Sequence, residues 1–594
     1  MNFLKNILAS IIGVMIAIGI FFFLLIVFIS LAGSGMESKI SVKDNSILVL
    51  NFEEKVNDFA QKVIIEDFDF DDQDYNGLNL IIKAIQYAKT DDKIKGISIK
   101  SAEGIQGYAQ LKELRDAVAD FKNSGKFIYS FNQQDMISQR DYYLQSVADS
   151  IFIGVTSQIM LQGLGANVNY YKDFQEKIGI KMEVFRHGKY KSAVEPYLDN
   201  KMSDANREQI TERLLSIWNN YTETIQKSRN ISKEKLNQIA DSLGGRTPKL
   251  ALQNKLIDGV RYRDQYEKLL CKSTKTDKVK DLNFISIEKY TEAVAQKLKN
   301  EKKKDQRIAV IYAEGTIVSG KSDSNVVGDE TIIEALREAR EEEKVKAIIL
   351  RINSPGGSAL ASELIHREIE LTKKEKPVYV SMSNLAASGG YYIACNANRI
   401  FADAETITGS IGVFMTIPNV AALSEKIGIT NEQVGTNRYS TGIYRGYNIE
   451  EVTSPEVTKL ITEGIEEFYN TFVQRVAEGR KMSPEAVNEI AQGRVWTGTD
   501  ALKNGLIDEI GSLQDVLSYV AKEHNIKEYS TNVYPVFKLN FKELLKKKSP
   551  FSINTEEIIS NEIGKEAYKT LKKIQQMGQI EGLQARLPYD IEIK

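Results

Sequence analysis

The sequence predicts an α/β protein with two tandem homologous domains after an N-terminal transmembrane helix. Three observations predict this fold class. Short segments recur in the same order about 250 positions apart, strand-like and helix-like segments alternate within each copy, and one uncharged stretch near the N terminus is long enough to cross a bilayer. The chain has 594 residues, of which 42% are hydrophobic, so each copy has material for a sizeable core.

The first observation is an internal duplication. An offset of 249 relates YYLQSVADSIF at 142–152 to YYIACNANRIF at 391–401. Offsets of 250 and 251 relate ALQNKLID at 251–258 to ALKNGLID at 501–508 and IKGISIK at 94–100 to VKAIILR at 345–351. Because all three matches keep one order at nearly one offset, the sequence predicts two homologous domains. The predicted parts are an N-terminal end, anchor and connector over 1–44, a first repeat over 45–271, a charged linker with a helix over 272–305, a second repeat over 306–525 and a C-terminal tail over 526–594.

The second observation is the alternation of elements within each copy. Apolar, β-branched runs predict strands over 46–51, 94–100, 127–131 and 151–153, and in the second copy over 307–312, 345–352, 378–382 and 400–402. Helices are predicted over 110–121 and 359–373, with long helical runs near 204–228 and 454–478. This alternation favours an α/β fold whose strands pair mainly in parallel.

The third observation is the stretch over 7–32, which contains no charged residue. As a helix it would be about 39 Å long, enough to cross the hydrocarbon core with some tilt. Lys5 and the α-amino group precede it and Glu37 follows it, so the positive-inside rule places the N terminus in the cytoplasm and the remainder across the membrane. A cleaved signal peptide is the alternative, although its apolar stretch is usually shorter.

Composition excludes several classes of function. Lysine plus arginine total 78 and aspartate plus glutamate total 80, which argues against a nucleic-acid binder with a globally basic surface. His187, His366 and His524 are the only histidines, and Cys271 and Cys395 the only cysteines. Their wide spacing contains no CxxC or HExxH pattern, so we expect no metal and no cofactor. A general base other than histidine is therefore expected, and a single bridge between the two cysteines stays open.

Two glycine-rich segments of the second copy could hold a nucleophile and stabilise an anion. NSPGG at 353–357 follows a strand, and its glycines Gly356 and Gly357 could expose backbone N–H groups to an oxyanion or a phosphate. No Gly-Lys-Ser/Thr follows, so a phosphate loop is disfavoured, whereas a plain turn remains open. Ser388 lies in AASGGYY at 386–392, between a strand and a helix. There it could be a nucleophile, or only a helix N-cap.

The candidate base is a lysine of the first copy. Lys191 lies in GKYKSAVEP at 188–196, and the second copy has Ser440 at the equivalent position. Ser388 is therefore present in one copy only and Lys191 in the other only. A lysine can act as a base if burial lowers its pKa, because desolvation disfavours the charged form. A solvated surface lysine is the alternative, and His187 is a second candidate base.

Four motifs, together with the anchor and the duplication, resemble the signal peptide peptidase A (protease IV) family, peptidase family S49, in its long, duplicated, membrane-anchored bacterial form. The motifs are YKSAVEP at 190–196, NSPGG at 353–357, ASGGY at 387–391 and TGSIG at 408–412. The resemblance implies a ClpP/crotonase-like fold in each repeat and a Ser/Lys dyad, with Ser388 as nucleophile and Lys191 as general base. It further implies that Ser410 orients the lysine and that the oxyanion hole consists of backbone amides of Gly357 and Gly389, with Gly356 shaping the turn.

The resemblance also implies a function and a location. It implies a serine endopeptidase without a cofactor that degrades cleaved signal peptides and other short apolar peptides. The protein would be a homotetramer on the outer face of the bacterial inner membrane, held in the bilayer by its N-terminal helix. Two other hypotheses stay open: an acyl-CoA enzyme of the crotonase type, and a non-catalytic scaffold for membrane partners.

Overall fold

The structure is a computed structural model that describes residues 13–21, 40–60, 62–65, 70–73, 75–299, 304–322, 326–440, 453–539 and 583–586. Within the predicted span over 7–32, residues 13–21 are helical and the others lie outside the described residues. Among the helices that the structure describes, none is both long and apolar enough to cross a membrane.

The first copy is built around a sheet of six parallel strands. In spatial order these are Gly259–Val260, Ser150–Ile153, Phe127–Asn132, Ile94–Ser101, Ser46–Asn51 and Asn283–Ser286. Its helices are Leu78–Ala88, Tyr108–Phe121, Gln139–Gln145, Lys172–Ile178, Glu195–Leu198, Asp204–Arg229, Lys233–Asp241, Pro248–Gln253, Arg263–Thr274 and Ile287–Lys299. Buried aliphatic and aromatic side chains between the sheet and the helices form one continuous core.

The second copy repeats this plan. Its sheet contains, in spatial order, Val495–Thr497, Ile407–Gly409, Val378–Ala387, Val345–Ser354, Arg307–Glu314 and Ser530–Tyr534, with Arg399–Ala402 and then Glu509–Ile510 branching from Val378–Ala387. Only Val495–Thr497 pairs antiparallel in this sheet. The helices are Asp329–Glu341, Ala359–Thr372, Gly389–Tyr392, Ala421–Ile427, Pro455–Arg480, Pro484–Ile490, Gly498–Lys503 and Leu513–Glu523. The strand and helix predictions agree with both copies, with ends that differ by a few residues.

Equivalent side chains make equivalent contacts in the two copies. The Tyr142 hydroxyl donates to the Leu256 carbonyl at 3.1 Å, and the Tyr391 hydroxyl donates to the Leu506 carbonyl at 2.8 Å. Both tyrosines belong to the segments that the duplication relates, and both are fully buried. The recurrence supports the duplication at the level of individual hydrogen bonds.

A third sheet joins the two copies. Its strands, in order, are Val326–Gly328, Thr316–Val318, Gly356–Ser358, Gln584–Arg586, Val413–Asn419 and Lys181–His187. Lys181–His187 comes from the first copy and pairs antiparallel with Val413–Asn419 of the second, with Val413 opposite His187. Because Lys191 follows this strand by four residues, the pairing carries it into the second copy.

Two segments differ from the predicted division. The predicted linker over 272–305 contains the expected helix, Ile287–Lys299, but also the strand Asn283–Ser286, which pairs in parallel with Ser46–Asn51. In the predicted tail, Ser530–Tyr534 pairs in the same way with Arg307–Glu314. Each copy therefore ends on an additional edge strand. Such short, partly polar strands lack the apolar run that identifies a strand in sequence.

Smaller pairings complete the fold. They are Met136–Ser138 with Gln158–Met160, and Lys62–Ile65 with Phe70–Gln73 and Phe537–Leu539. The thiols of Cys271 and Cys395, whose bridging the sequence left open, are both free.

A buried ion cluster links the two copies. The Arg351 guanidinium binds both carboxylate oxygens of Asp58 at 2.7 and 3.0 Å and both of Glu113 at 2.8 and 3.0 Å. Arg351 belongs to the second copy and the two carboxylates to the first, and all three side chains are almost wholly buried. Arg351 lies on the strand Val345–Ser354, which leads directly into the glycines of the NSPGG motif.

Candidate active site

Ser388 lies at the junction between the strand Val378–Ala387 and the short helix Gly389–Tyr392. Its backbone has φ 56° and ψ −116°, a conformation that costs a non-glycine residue about 1–3 kcal/mol. The surrounding structure holds it there, because the Ser388 amide donates to the Gly409 carbonyl at 2.8 Å. Small residues are required beside it: a Cβ on Gly390 would lie 2.7 Å from the Ser354 carbonyl oxygen. Close packing and a strained turn thus present one buried serine hydroxyl.

Lys191 reaches Ser388 from the other copy. Its Nζ lies 3.0 Å from Ser388 Oγ, 3.0 Å from Ser410 Oγ and 3.3 Å from the Ser410 carbonyl oxygen. All three side chains are fully buried. The structure therefore brings together the serine, the lysine and the second serine that the sequence singled out, although 197 positions separate Lys191 from Ser388 along the chain.

The surroundings of Lys191 favour its neutral form. Burial lowers the pKa of its ammonium group to about 7, from 10.5 in water. In the described part of the chain, no carboxylate lies within ion-pair distance of Nζ to oppose this effect. The centroid of the Phe414 ring lies 5.9 Å from Nζ. Burial thus favours the neutral form of Lys191, which is the form that can accept a proton.

Two glycines to which the sequence analysis assigned no role of their own enclose the lysine. A Cβ on Gly493 would lie 2.6 Å from Lys191 Cβ, and Gly493 has φ +76°, where a side chain is strained. A Cβ on Gly412 would lie 3.3 Å from Lys191 Cδ. Gln209 adds a further contact, since its side-chain amide donates to the Tyr190 carbonyl at 3.1 Å. Gly412 belongs to the TGSIG motif, whereas Gly493 and Gln209 stand in no pattern that predicts them.

The glycines of the NSPGG motif lie beside the nucleophile. Gly356 has φ +94°, and its amide donates to Ser354 Oγ at 3.1 Å. A Cβ on Gly356 would lie 2.6 Å from the Gly389 backbone nitrogen, so these two residues touch. Gly357 has φ +159°, and a Cβ there would lie 2.0 Å from the Ile317 carbonyl oxygen. Gly356 therefore brings the NSPGG segment into contact with the residue that follows Ser388.

The corresponding position of the first copy is filled by a carboxylate. Ser138 precedes the helix Gln139–Gln145, as Ser388 precedes Gly389–Tyr392. The Asp141 carboxylate accepts hydrogen bonds from the Ala102 amide at 2.6 Å, Ser101 Oγ at 3.2 Å and Ser138 Oγ at 2.7 Å. At this place the first copy therefore has a capping aspartate whose carboxylate is bound by the loop that precedes it.

The other candidates from the sequence are bound elsewhere. His187 Nδ1 lies 2.7 Å from Glu466 Oε1, and the imidazole stacks on the Tyr469 ring at 3.7 Å between centroids. Ser440, the counterpart of Lys191, is exposed, and its hydroxyl donates to the Asn437 carbonyl. One copy therefore supplies the lysine and the other the serine.

Known proteins are similar in sequence to this chain over most of its length. The profile of Peptidase family S49 matches residues 121–277 and 370–527, one match in each copy. Protease 4 of Salmonella typhi is 37% identical over 469 residues, which cover 77% of this chain and 74% of that protein. Protease 4 of Haemophilus influenzae is 37% identical over 448 residues, covering 74% of this chain and 71% of that protein.

A shorter relative matches one part of the chain. The putative signal peptide peptidase SppA of Enterococcus faecium is 36% identical over 225 residues, which cover 37% of this chain and 64% of that protein. With one profile match in each copy and two relatives that align over most of their length, the chain belongs to peptidase family S49 and is a serine peptidase.

Proposed function

We propose that this peptidase is a membrane-anchored endopeptidase with Ser388 as nucleophile and Lys191 as general base, and that it degrades cleaved signal peptides and other short apolar peptides. The observation that carries the proposal is the lysine amine, fully buried without a counter-charge in the described residues, 3.0 Å from the hydroxyl of a serine in a strained turn. Burial favours the neutral amine, which is the form that can remove a proton.

In the proposed mechanism Lys191 acts in turn as base and as acid. Neutral Lys191 accepts the proton of Ser388 Oγ as the oxygen attacks a peptide carbonyl. The amides of Gly357 and Gly389 stabilise the oxyanion, and Gly356 shapes the turn that presents them. Protonated Lys191 then donates to the leaving amine, and a water activated by the same lysine hydrolyses the acyl-enzyme.

Ser410 acts as the positioning residue for Lys191. It contacts Nζ through both its hydroxyl and its carbonyl oxygen, at 3.0 and 3.3 Å. Two contacts from one residue fix the direction of the lysine side chain, which otherwise has four rotatable bonds. The backbone of Ser410 has φ +52°, so the segment that presents it is itself held in an uncommon conformation.

We propose the fold and the membrane location that the family resemblance implies. The two mainly parallel sheets, each flanked by helices and each ending in an equivalent edge strand, support a ClpP/crotonase-like unit in each copy. Membrane attachment rests on the uncharged stretch over 7–32 and the placement of charge around it. The relative named as a putative signal peptide peptidase supports signal peptides as substrates.

We also propose assembly into a homotetramer. Lys181–His187 pairs with Val413–Asn419 within the chain, whereas the two segments that the duplication relates to these strands are not paired with each other in the described structure. At the offset of 249, Val413–Asn419 and Lys181–His187 correspond to 164–170 and 430–436. In the part of the chain that the structure describes, 164–170 and 430–436 belong to no sheet. Val434, the counterpart of the buried Phe185, is 96% exposed. Pairing of these segments between neighbouring subunits would repeat around a ring.

Substitution of Val434 tests this assembly. Val434→Asp should shift the detergent-solubilised protein from a tetramer to smaller species, because burying a carboxylate in each contact costs several kcal/mol. Val434→Ile is the matched control and should sediment as the wild type does. Sedimentation velocity measures the result, and an unchanged tetramer with Val434→Asp would refute the proposed contact.

Digestion of synthetic signal peptides tests the function. The full-length protein in detergent should cleave apolar signal peptides within their hydrophobic segment, and Ser388→Ala should leave them intact. Mass spectrometry of the digests gives the cleavage sites. Equal digestion by both proteins would disprove the role of Ser388. If the wild type cleaved polar peptides but left signal peptides intact, the substrate class would be wrong.

A further inference from the structure

A buried glutamine, Gln209, lies against the segment that carries Lys191. It belongs to the helix Asp204–Arg229 of the first copy, and only 4% of it is exposed. Its Nε2 lies 2.8 Å from Ser192 Oγ and 3.1 Å from the Tyr190 carbonyl oxygen. The two amide protons can therefore donate to the residues on both sides of the lysine, and they hold the lysine segment against a long helix.

The other end of the same amide reaches the second copy. Gln209 Oε1 accepts a hydrogen bond from the Val495 amide at 3.4 Å. Gly409 is the residue opposite Val495 in the sheet of the second copy. The Gly409 carbonyl accepts from the Ser388 amide at 2.8 Å, and Ser410 follows Gly409 directly. One side chain thus links the segment of the base to the strands that hold the nucleophile and the second serine.

A network of buried polar groups fixes the amide of Gln209. Asn206, about one turn earlier on the helix, places its Oδ1 3.2 Å from Gln209 Nε2, and its own amide donates to the Glu195 carboxylate. The same carboxylate accepts from the Ser203 amide at 2.7 Å. Asn206 and Glu195 are both almost wholly buried. Because each donor faces an acceptor, the network gives the glutamine one orientation, with its N–H groups towards the lysine segment.

Two other side chains of this helix bind the second copy at a distance from the lysine segment. Ser216 Oγ lies 2.8 Å from Thr497 Oγ1, and the Asn220 amide donates to Thr499 Oγ1 at 3.1 Å. Among the described residues, neither of these side chains has a hydrogen bond to 188–192. They cross between the copies as the glutamine does, so they distinguish a general effect on the contact between the copies from an effect on the lysine.

From this arrangement we infer that Gln209 is a positioning residue for the reaction, which holds Lys191 within hydrogen-bond distance of Ser388. The inference rests on the proposed role of Lys191 as the base. Gln209 acts through the backbone of the lysine segment and not on the reacting atoms. Lys191 Nζ lies 3.0 Å from Ser388 Oγ, and a displacement of 1 Å between reacting groups can lower a rate by about 10²-fold.

Gln209→Leu tests the inference, because leucine fills a similar volume without the amide. With the full-length protein in detergent and a synthetic signal peptide as substrate, kcat should fall by about 10- to 100-fold, whereas KM should change by less than about twofold. The pH at which kcat/KM reaches half its plateau should rise by about half a unit or more. A lysine that is held less firmly is better hydrated, and its pKa then moves back towards 10.5.

Asn220→Ala is the matched control. It removes a hydrogen bond between the same helix and the second copy, and it should change neither kcat nor the pH midpoint. Ser192→Ala serves as a second variant if Gln209→Leu does not fold. It deletes one hydroxyl and one of the two contacts, so it should move kcat and the midpoint in the same directions by smaller amounts. Where both variants fold, their effects should not add, because both remove the same hydrogen bond.

The wild-type pH profile separates this inference from the proposed base. If the wild type rises through about pH 7 and Gln209→Leu keeps its kcat and midpoint, the role of Gln209 is refuted and the base is retained. A lower kcat at an unchanged midpoint would indicate only a loss of folded enzyme and would also refute it. So would a shift of the midpoint in Asn220→Ala as large as that in Gln209→Leu. If the wild type showed no rise, the proposed role of Lys191 would fail, and the inference with it.

Discussion

Lys191→Met is expected to lower kcat/KM for peptide hydrolysis by about 10³-fold or more, because it removes the only base within reach of Ser388 in the described structure. Methionine keeps the length of the buried stem without the amine. Lys189→Met is the matched control: Lys189 is exposed, lies two residues away and should leave the rate unchanged. Retention of wild-type turnover by Lys191→Met would disprove the assignment of the base.

The same lysine predicts the pH dependence of the wild type. Burial lowers the pKa of Lys191 to about 7, and only the neutral amine accepts a proton. We therefore expect kcat/KM to rise with pH through about 7 and to level off above it. A profile that falls with rising pH over this range would contradict a lysine base.

Stability gives a second, independent readout of Lys191. The ammonium group has a pKa of 10.5 in the unfolded chain and about 7 in the folded one, so the unfolded state binds more protons between these values. The free energy of unfolding therefore rises with pH across that window, by about 5 kcal/mol in all, and falls again by the same amount as the pH returns to 7. Lys191→Met should lack this dependence.

Thermal melts from pH 7 to 9.5 measure the effect. Relative to the variant, the wild type should gain about 1.4 kcal/mol per pH unit. The slope is more informative than the absolute stability, since Ser388 and Ser410 each lose a hydrogen-bond partner in Lys191→Met. Parallel melting curves for the two proteins would show that Lys191 is charged in the fold.

The central strands and the two chemical groups could be predicted from the sequence for a physical reason. A strand buried on both faces must be a continuous apolar run, as over 345–352, and such runs are visible without any knowledge of the partner. The duplication then separated Ser388 from Lys191 by copy. The first copy lacks the serine and the second lacks the lysine, and only a comparison of the two copies shows that together they contain both groups.

What the sequence did not predict depends on contacts between distant segments. The edge strands Asn283–Ser286 and Ser530–Tyr534 are short and partly polar, and they are strands because a partner is already in place. Gln584–Arg586 is a strand for the same reason. Gly493 packs against Lys191, although 302 positions separate them in the sequence. No local sequence pattern indicates that a Cβ at Gly493 would collide with a side chain of the other copy.

Arg351 is the clearest example of a residue whose role is invisible in sequence. It is the first residue of RINSPGG, and the first copy has Lys100 at the equivalent position. From the sequence alone it is an ordinary basic residue near the end of a strand. In the structure it is bound by Asp58 and Glu113 of the other copy. Burial raises the pKa of Glu113 to about 7, whereas Arg351 overcomes the effect of burial at Asp58 and holds that pKa below its usual value.

Arg351→Met is therefore expected to destabilise the protein by about 3–5 kcal/mol, because it leaves two carboxylates buried without a counter-charge. The melting temperature should fall by about 10 °C. Arg367→Met is the control: this arginine is 58% exposed in its pair with Glu370, and such pairs contribute less than about 1 kcal/mol.

A triple variant distinguishes loss of charge balance from loss of packing. Asp58→Asn and Glu113→Gln combined with Arg351→Met remove all three charges at nearly constant volume, and replacing a whole buried ion cluster is often neutral. We expect the triple variant to recover most of the melting temperature that Arg351→Met loses. Because the cluster lies on the strand that leads to Gly356 and Gly357, peptidase activity should recover with it. If Arg351→Met alone melted like the wild type, the cluster would not hold the copies together, and the convergence of Lys191 on Ser388 would depend on the strand pairing alone.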